Sequence, residues 1–131
     1  MQKDYKNKGI NIKMEKTTGF THLIKSTGYS IKGLISAIKN EAAFRHELFL
    51  AIILIPLAFF IGKNKIEICL MIASVLLVLI IELLNSAIEA VVDRIGTDFH
   101  ELSGRAKDMG SAAVFVALCL VGTVWGLILF L

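Results

Sequence analysis

The residues best suited to chemistry lie at the end of a long apolar stretch. Residues 80–96 have the sequence IIELLNSAIEAVVDRIG, and positions i, i+3, i+7 and i+11 of such a segment share one narrow stripe of an α-helix. Four polar side chains occupy that stripe: Glu82, Asn85, Glu89 and Asp93. A charged side chain at the centre of a bilayer costs about 3 kcal/mol, and less near the interface. A polar stripe on an apolar helix therefore predicts a functional site.

The depth of the stripe indicates which chemistry it could serve. Glu82 lies 17 residues beyond Lys65, or roughly 25 Å of helix, against a hydrocarbon core of about 30 Å. Glu82 is then expected just inside one boundary of the bilayer, with Glu89 and Asp93 level with headgroups and water. A partly desolvated acid can act as a general base, and acids facing water suit a divalent cation. The alternative is that these acids pair with Lys or Arg to fix helix packing, although this segment offers no cation before Arg94.

A second polar group stands at the start of the first apolar span, at the same expected level. Residues 40–47 have the sequence NEAAFRHE. Its Glu41 could complete a metal site with Glu89, and its Glu47 is expected at the lipid edge, as Glu82 is.

A third polar segment, HELSGRAKDMGS at residues 100–111, opens the last apolar span on the same side. Lys107 and Asp108 are suited to contacts with phosphate and other polar groups. The sequence contains neither a Walker A loop nor a G-x-G-x-x-G motif, which excludes a soluble-kinase fold.

Composition places these segments in a membrane protein. Of 131 residues, 56% are hydrophobic and one is proline, more apolar surface than a soluble domain of this size could bury. Basic residues without interleaved aromatics favour anionic lipid over nucleic acid as a partner. Cys69 and Cys119 have no paired spacing, so we expect buried free thiols. Residues 1–16 are polar, which predicts a disordered tail and no cleavable signal peptide.

The predicted fold is an all-α integral membrane protein. An amphipathic surface helix is expected at about 20–40, with apolar residues on one face and lysines every seven residues along its flank. Transmembrane spans are expected at about 42–61, 66–95 and 103–131. The N-terminal segment and the connection after the second span are the more basic ones, so the N-terminus should be cytoplasmic.

Four segments resemble the small membrane-integral diacylglycerol kinases of bacteria: TTGFT at 17–21, NEAAFR at 40–45, ELLNSAIEAVVDRIG at 82–96 and HELSGRAKDMGSAA at 100–113. The resemblance extends over residues 17–131 and implies one kinase domain. It implies a homotrimeric bundle in the inner membrane, with active sites shared between protomers and with diacylglycerol and membrane lipids as partners. It also implies transfer of the γ-phosphoryl group of ATP, with Mg²⁺, to the free hydroxyl of diacylglycerol, which gives phosphatidate.

The resemblance also implies residue roles. Glu82 would be the catalytic base, and Glu41 and Glu89 would hold Mg²⁺. The residues expected to contact the nucleotide are Tyr29, Glu41, Asn85, Glu89, Asp98, Phe99, His100, Lys107 and Asp108. Those expected on the lipid-substrate side are His22, Ser30, Arg45, Glu47, Glu82, Ser111 and Trp125. His22 stands where known members have Arg, and Asp98 where they have Glu.

Two other functions compete with this one. An undecaprenol kinase of the same superfamily would share most of these features, although HELSGRAKDMGSAA is more similar to the diacylglycerol branch. A cation-binding or cation-transporting membrane protein would be expected to have acids near the midplane and a repeated or broken helix. The sequence shows neither.

Overall fold

The structure, a computed structural model, describes residues 19–131, and these form four α-helices without a strand. They are α1 (Phe20–Asn40), α2 (Ala42–Ile61), α3 (Lys65–Ile95) and α4 (Glu101–Phe130). The prediction of an all-α protein is confirmed. The tail expected at residues 1–16 lies outside the described residues.

The chain divides into two units, with the boundary inside α1 between Gly33 and Leu34. In the first unit, α1 follows Gly19, whose φ of 73° lies in the left-handed region that favours glycine. Its apolar residues Phe20 and Leu23 are exposed, and the Lys32 ammonium lies 5.9 Å from the centroid of the Tyr29 ring. That α1 lies on a membrane surface remains a prediction.

In the second unit, the three helices α2, α3 and α4 are long and apolar enough to cross a membrane. The three predicted spans are therefore confirmed in kind. Helix α3 has 31 residues, or roughly 46 Å of helix, which is longer than the hydrocarbon core of about 30 Å. One end of α3 must then extend beyond the hydrocarbon, and its carboxylate-rich end is the candidate.

Local side-chain bonds determine where α3 and α4 begin. The Asn64 side chain accepts from the Glu67 N–H at 3.0 Å, and the Glu67 carboxylate accepts from the Lys63 N–H at 2.8 Å. This arrangement resembles a capping box, except that the Glu67 carboxylate bonds to the residue before the N-cap. At α4, His100 Nδ1 accepts from the Leu102 N–H at 3.1 Å. That cap explains why α4 begins at Glu101, whereas a span from about 103 was expected.

Helix α3 packs against both α2 and α4, and the core lies between them. Its buried members are Ala51, Ala58, Met71, Val75 and Trp125. The Met71 carbonyl accepts from Trp125 Nε1 at 3.3 Å and from Ser74 Oγ at 2.8 Å. These bonds satisfy the buried polar side chains of Trp125 and Ser74 where no water is at hand.

The two cysteines differ from expectation. Cys69 and Cys119 are free, but both are exposed on the outer faces of their helices. The prediction that they are buried is wrong, because the apolar runs that contain them face outward as well as inward. In a membrane protein an apolar outer face is stable against lipid.

Candidate active site

Glu82 is the buried carboxylate of the described chain, with 4% of its surface exposed. It lies on α3, one turn before the buried Ser86. The negative charges that reach Glu82 are those of Glu47, Glu89 and Glu41, in decreasing order of strength. Helix α3, the start of α2 and the break before α2 therefore contribute four carboxylates to one cluster.

Glu41 occupies the single-residue break between α1 and α2. Its backbone is extended, with φ −113° and ψ 105°, and its side chain makes no capping hydrogen bond to α2. The Glu41 carbonyl accepts from the Arg45 N–H at 3.2 Å, so the backbone begins the helix. The carboxylate is left free for a ligand.

Asn85 presents a buried acceptor to the α3–α4 contact. Its Oδ1 is buried and has no hydrogen-bond partner among the described residues. Gly110 of α4 is buried directly against it, and a methyl group at Gly110 would collide with this oxygen. Buried polar atoms are normally hydrogen-bonded, so this acceptor is unusual among the polar atoms of residues 19–131.

The watery end of the stripe carries an ion pair. Lys107 Nζ lies 2.6 Å from Asp93 Oδ1, and both side chains are partly exposed. The charge of Glu89 also acts on Lys107. Beside this pair is an open pocket of about 350 Å³ at the α3–α4 connection, whose lining includes Asp93, Lys107, Asp98, Phe99 and His100.

On the opposite side of the carboxylates lies an apolar groove between α2, α3 and α4. It has a volume of about 110 Å³, and its lining residues are Glu47, Leu50, Ala51, Leu54, Val75, Val78, Leu118 and Val121. Glu47 is its one charged residue. Ala51 and Val75 also belong to the core cluster that contains Trp125, so the groove borders that cluster.

The structure therefore separates Trp125 from the carboxylates. Trp125 bonds to Met71, which precedes Glu82 by eleven residues of α3. That is roughly 16 Å along the helix. Any contact of Trp125 with a substrate would be with its apolar part.

The carboxylates of the site are candidate ligands for magnesium. Within residues 19–131, no group of three His, Cys, Asp or Glu side chains is placed to hold a metal ion by itself. Mg²⁺ commonly takes one or two carboxylates together with phosphate oxygens and water. Glu41 and Glu89 both lie near enough to Glu82 for their charges to act on it, and as carboxylates they fit that requirement.

The other predicted site residues either bond to the backbone or are exposed. Arg45 Nη1 donates to the carbonyls of Ile38 and Lys39, and His100 caps α4. Asp108 and Ser111 are exposed on α4. The remaining three belong to the first unit, where all are exposed: His22, Tyr29 and Ser30. Their roles in binding stay predictions.

Two features of the site were not predicted. One is Gly110, whose signal was a small residue next to polar ones in the segment DMGSAA. The other is the ion pair of Asp93 with Lys107. Both residues were predicted to be functional, but their pairing was not. The short connection between Ile95 and Glu101 was the available signal, because it places the end of α3 beside the start of α4.

Comparison with known proteins identifies the family of the chain. The sequence model of the prokaryotic diacylglycerol kinase family matches residues 28–129. The chain belongs to this family. Its relatives include the diacylglycerol kinase of Haemophilus influenzae, which is 74% identical over 117 residues, covering 89% of this chain and 99% of the relative.

Two further relatives cover nearly as much. The diacylglycerol kinase of Escherichia coli K12 is 55% identical over 113 residues, which are 86% of this chain and 93% of the relative. That of Pseudomonas aeruginosa is 52% identical over 112 residues, which are 86% and 91% of the two chains. The resemblance predicted from the sequence is confirmed, and the protein is an enzyme of a kinase family and a multi-pass membrane protein.

Proposed function

We propose that the protein phosphorylates the free hydroxyl of diacylglycerol with ATP at the cytoplasmic face of the inner membrane, giving phosphatidate. The observation that carries the proposal is the buried Glu82, with an apolar groove that ends at Glu47 on one side and a polar pocket beside Asp93 and Lys107 on the other. The lipid can then approach Glu82 from the bilayer, and the nucleotide can approach it from water.

Glu82 is the proposed general base. A base must lie where the acceptor hydroxyl loses its proton, and Glu82 is the carboxylate of the cluster that the protein shields from water. Removal of the hydroxyl proton makes the oxygen a stronger nucleophile toward the γ-phosphorus of ATP.

The nucleotide is proposed to bind at the watery end. Lys107 can contact phosphate oxygens, and Asn85 and the lining of the polar pocket supply further polar contacts. Glu41 and Glu89 would hold Mg²⁺, which when bound neutralises charge on the phosphates during transfer. Phosphoryl transfer depends mainly on positioning and electrostatics, so these residues suffice without a covalent intermediate on the protein.

The lipid is proposed to place part of an acyl chain in the apolar groove. At about 110 Å³ the groove holds only a segment of a chain, so the rest of the lipid stays in the bilayer. Glu47 at the polar end would then lie near the glycerol hydroxyl. Trp125 does not line the groove, but it belongs to the same core cluster as Ala51 and Val75, which do.

The proposal includes a homotrimer with shared active sites and a cytoplasmic N-terminus. The large apolar residues on the outer faces of α2, α3 and α4 support contact with lipid and with further copies of the chain. The lysine-rich N-terminal segment supports the orientation.

The test is transfer of labelled γ-phosphate from ATP into lipid extracts, with the labelled lipid identified. We expect labelled phosphatidate from the wild-type protein and none from Glu82→Gln, which retains the side-chain volume. Label in a polyprenyl phosphate instead would favour an undecaprenol kinase. Absence of any labelled lipid would refute the proposal.

Direct transfer is tested by stereochemistry. ATP made chiral at the γ-phosphorus should give phosphatidate with inverted configuration, because one in-line displacement inverts the phosphorus. Net retention would require two displacements and hence a phosphorylated protein group. That result would exclude the direct route while leaving the substrate assignment intact.

A further inference from the structure

The break between α1 and α2 is held by a side chain from the next turn. Helix α1 ends at Asn40, so its last carbonyls have no helical partner. Arg45 Nη1 donates to two of them, the Ile38 carbonyl at 2.9 Å and the Lys39 carbonyl at 3.2 Å. A cation at this end of a helix is also favoured by the helix dipole. We call residues 38–45 the elbow.

The other bonds of the elbow involve the same short segment. The Glu41 N–H donates to the Ala37 carbonyl at 2.9 Å, and the Glu41 carbonyl accepts from the Arg45 N–H at 3.2 Å. The Asn40 side chain donates back to the Ser36 carbonyl at 3.0 Å. Glu41 is thus the residue between the two helices, and Arg45 bonds both to its carbonyl and to two carbonyls before it.

Neither Arg45 nor Glu41 has its charge committed elsewhere. Within residues 19–131, Arg45 forms no ion pair with a carboxylate, and the Glu41 side chain makes no capping bond. Phe44, with 2% of its surface exposed, anchors the start of α2 in the packed interior. Arg45 itself is exposed and bonds back over the elbow. Its guanidinium therefore fixes the backbone from which the Glu41 carboxylate projects.

We infer that Arg45 is a positioning residue for Glu41, acting through the carbonyls of Ile38 and Lys39 to hold the Glu41 carboxylate at the metal–nucleotide end of the site. The inference rests on the proposed role of Glu41 in the function above. It gives Arg45 a role different from the lipid-side contact that the sequence resemblance implies.

The test compares Arg45→Gln, Arg45→Lys and a matched control, Lys39→Gln. The control removes a positive charge from the same elbow but keeps the Lys39 carbonyl that Arg45 contacts. Loss of a group that orients a metal ligand typically weakens metal affinity 10–100-fold. We therefore expect about tenfold or weaker apparent Mg²⁺ affinity for Arg45→Gln, an intermediate loss for Arg45→Lys and no change for Lys39→Gln.

Two readouts are independent of turnover. Binding of Mn²⁺ in the presence of a non-hydrolysable ATP analogue, followed by electron paramagnetic resonance, should weaken in Arg45→Gln. Hydrogen exchange at the Glu41 amide should accelerate in the same variant, because its bond to the Ala37 carbonyl depends on a rigid elbow. Unchanged Mn²⁺ binding together with unchanged exchange would overturn the inference. Faster exchange with unchanged Mn²⁺ binding would also overturn it, since the elbow would then not control the ligand.

A double-mutant cycle separates action through Glu41 from direct contact. If Arg45 acts through Glu41, Arg45→Gln should add little to the defect of Glu41→Gln. If the losses caused by the two substitutions add, and Arg45→Gln raises only the KM for diacylglycerol, Arg45 contacts the lipid. That result would refute the positioning role. If Glu41→Gln itself binds Mn²⁺ normally, the proposed metal role is wrong and the inference falls with it. If only Arg45→Gln binds normally, the metal role stands and the positioning role alone is overturned.

Discussion

The contact between Gly110 and Asn85 allows a sharp test of how packing controls the site. Gly110→Ala adds one methyl group on α4, and that group would collide with Asn85 Oδ1. Asn85 is short and its oxygen is buried, so it has little room to move. We expect the variant to displace the Asn85 side chain or to push α4 away from α3.

The expected free energies can be worked out from opposing effects. Replacing Gly by Ala in a helix stabilises by about 1 kcal/mol, whereas overpacking costs about 1–3 kcal/mol. The matched control is Gly122→Ala on the same helix, where an added methyl meets no atom within 4 Å. Gly110→Ala should therefore be less stable than Gly122→Ala by about 1–3 kcal/mol, because the propensity gain is common to both and cancels.

The assay is unfolding in mixed detergent micelles, followed by circular dichroism, together with steady-state kinetics. A hydrogen bond to a charged group contributes about 1.5–3 kcal/mol, so a displaced Asn85 should lower kcat/KM for ATP about tenfold or more. Asn85→Ala combined with Gly110→Ala should recover stability but not activity, because the collision is gone and so is the amide. If Gly110→Ala unfolds and turns over as Gly122→Ala does, the close contact and the role given to Asn85 are both wrong.

Further predictions address the other parts of the site. Glu82→Gln should retain nucleotide binding, measured by titration with a fluorescent ATP analogue, and lose nearly all turnover; activity within tenfold of wild type would remove Glu82 as the base. Glu89→Gln should weaken apparent Mg²⁺ and ATP affinities in steady-state titrations, and an effect limited to diacylglycerol would contradict the metal role. Lys107→Met should raise KM for ATP with little effect on the free energy of unfolding, because its pair with Asp93 is partly exposed. Val121→Phe should narrow the apolar groove and raise KM more for long-chain than for short-chain diacylglycerol, and equal effects on both would place the acyl chain elsewhere.

The helices were predictable from the sequence because hydropathy and periodicity act locally. An apolar run in this chain can satisfy its backbone in lipid only as a helix, so the three spans were determined without tertiary information. The sequence did not indicate the helix start at Glu101, because the cap is a histidine: His100 accepts from Leu102 through its ring, and histidine is not among the favoured N-capping residues. Both cysteines were misjudged because hydropathy does not tell a buried face from a lipid-facing one.

The functional stripe was predictable for a different reason. A carboxylate at the edge of the hydrocarbon has a cost, so Glu82 stood out wherever its partners were. What the sequence could not supply is the distance between segments far apart in the chain. Nothing in the spacing of NEAAFRHE shows that Glu41 and Glu47 reach Glu82, because that proximity depends on how α2 packs on α3.

The same limit explains why small residues near the site were missed. Gly110 has no side chain to signal a role, and its importance lies in what its missing Cβ permits: close approach of Asn85 to α4. A carboxylate in an apolar segment indicates a functional site, because placing it there costs free energy. The role of a glycine in a helix can be recognised only once its neighbour is known. Sequence therefore identifies the groups that can react, and the structure adds the residues that bring them within reach of one another. In this protein, Gly110 does so between two helices and Arg45 does so within the elbow.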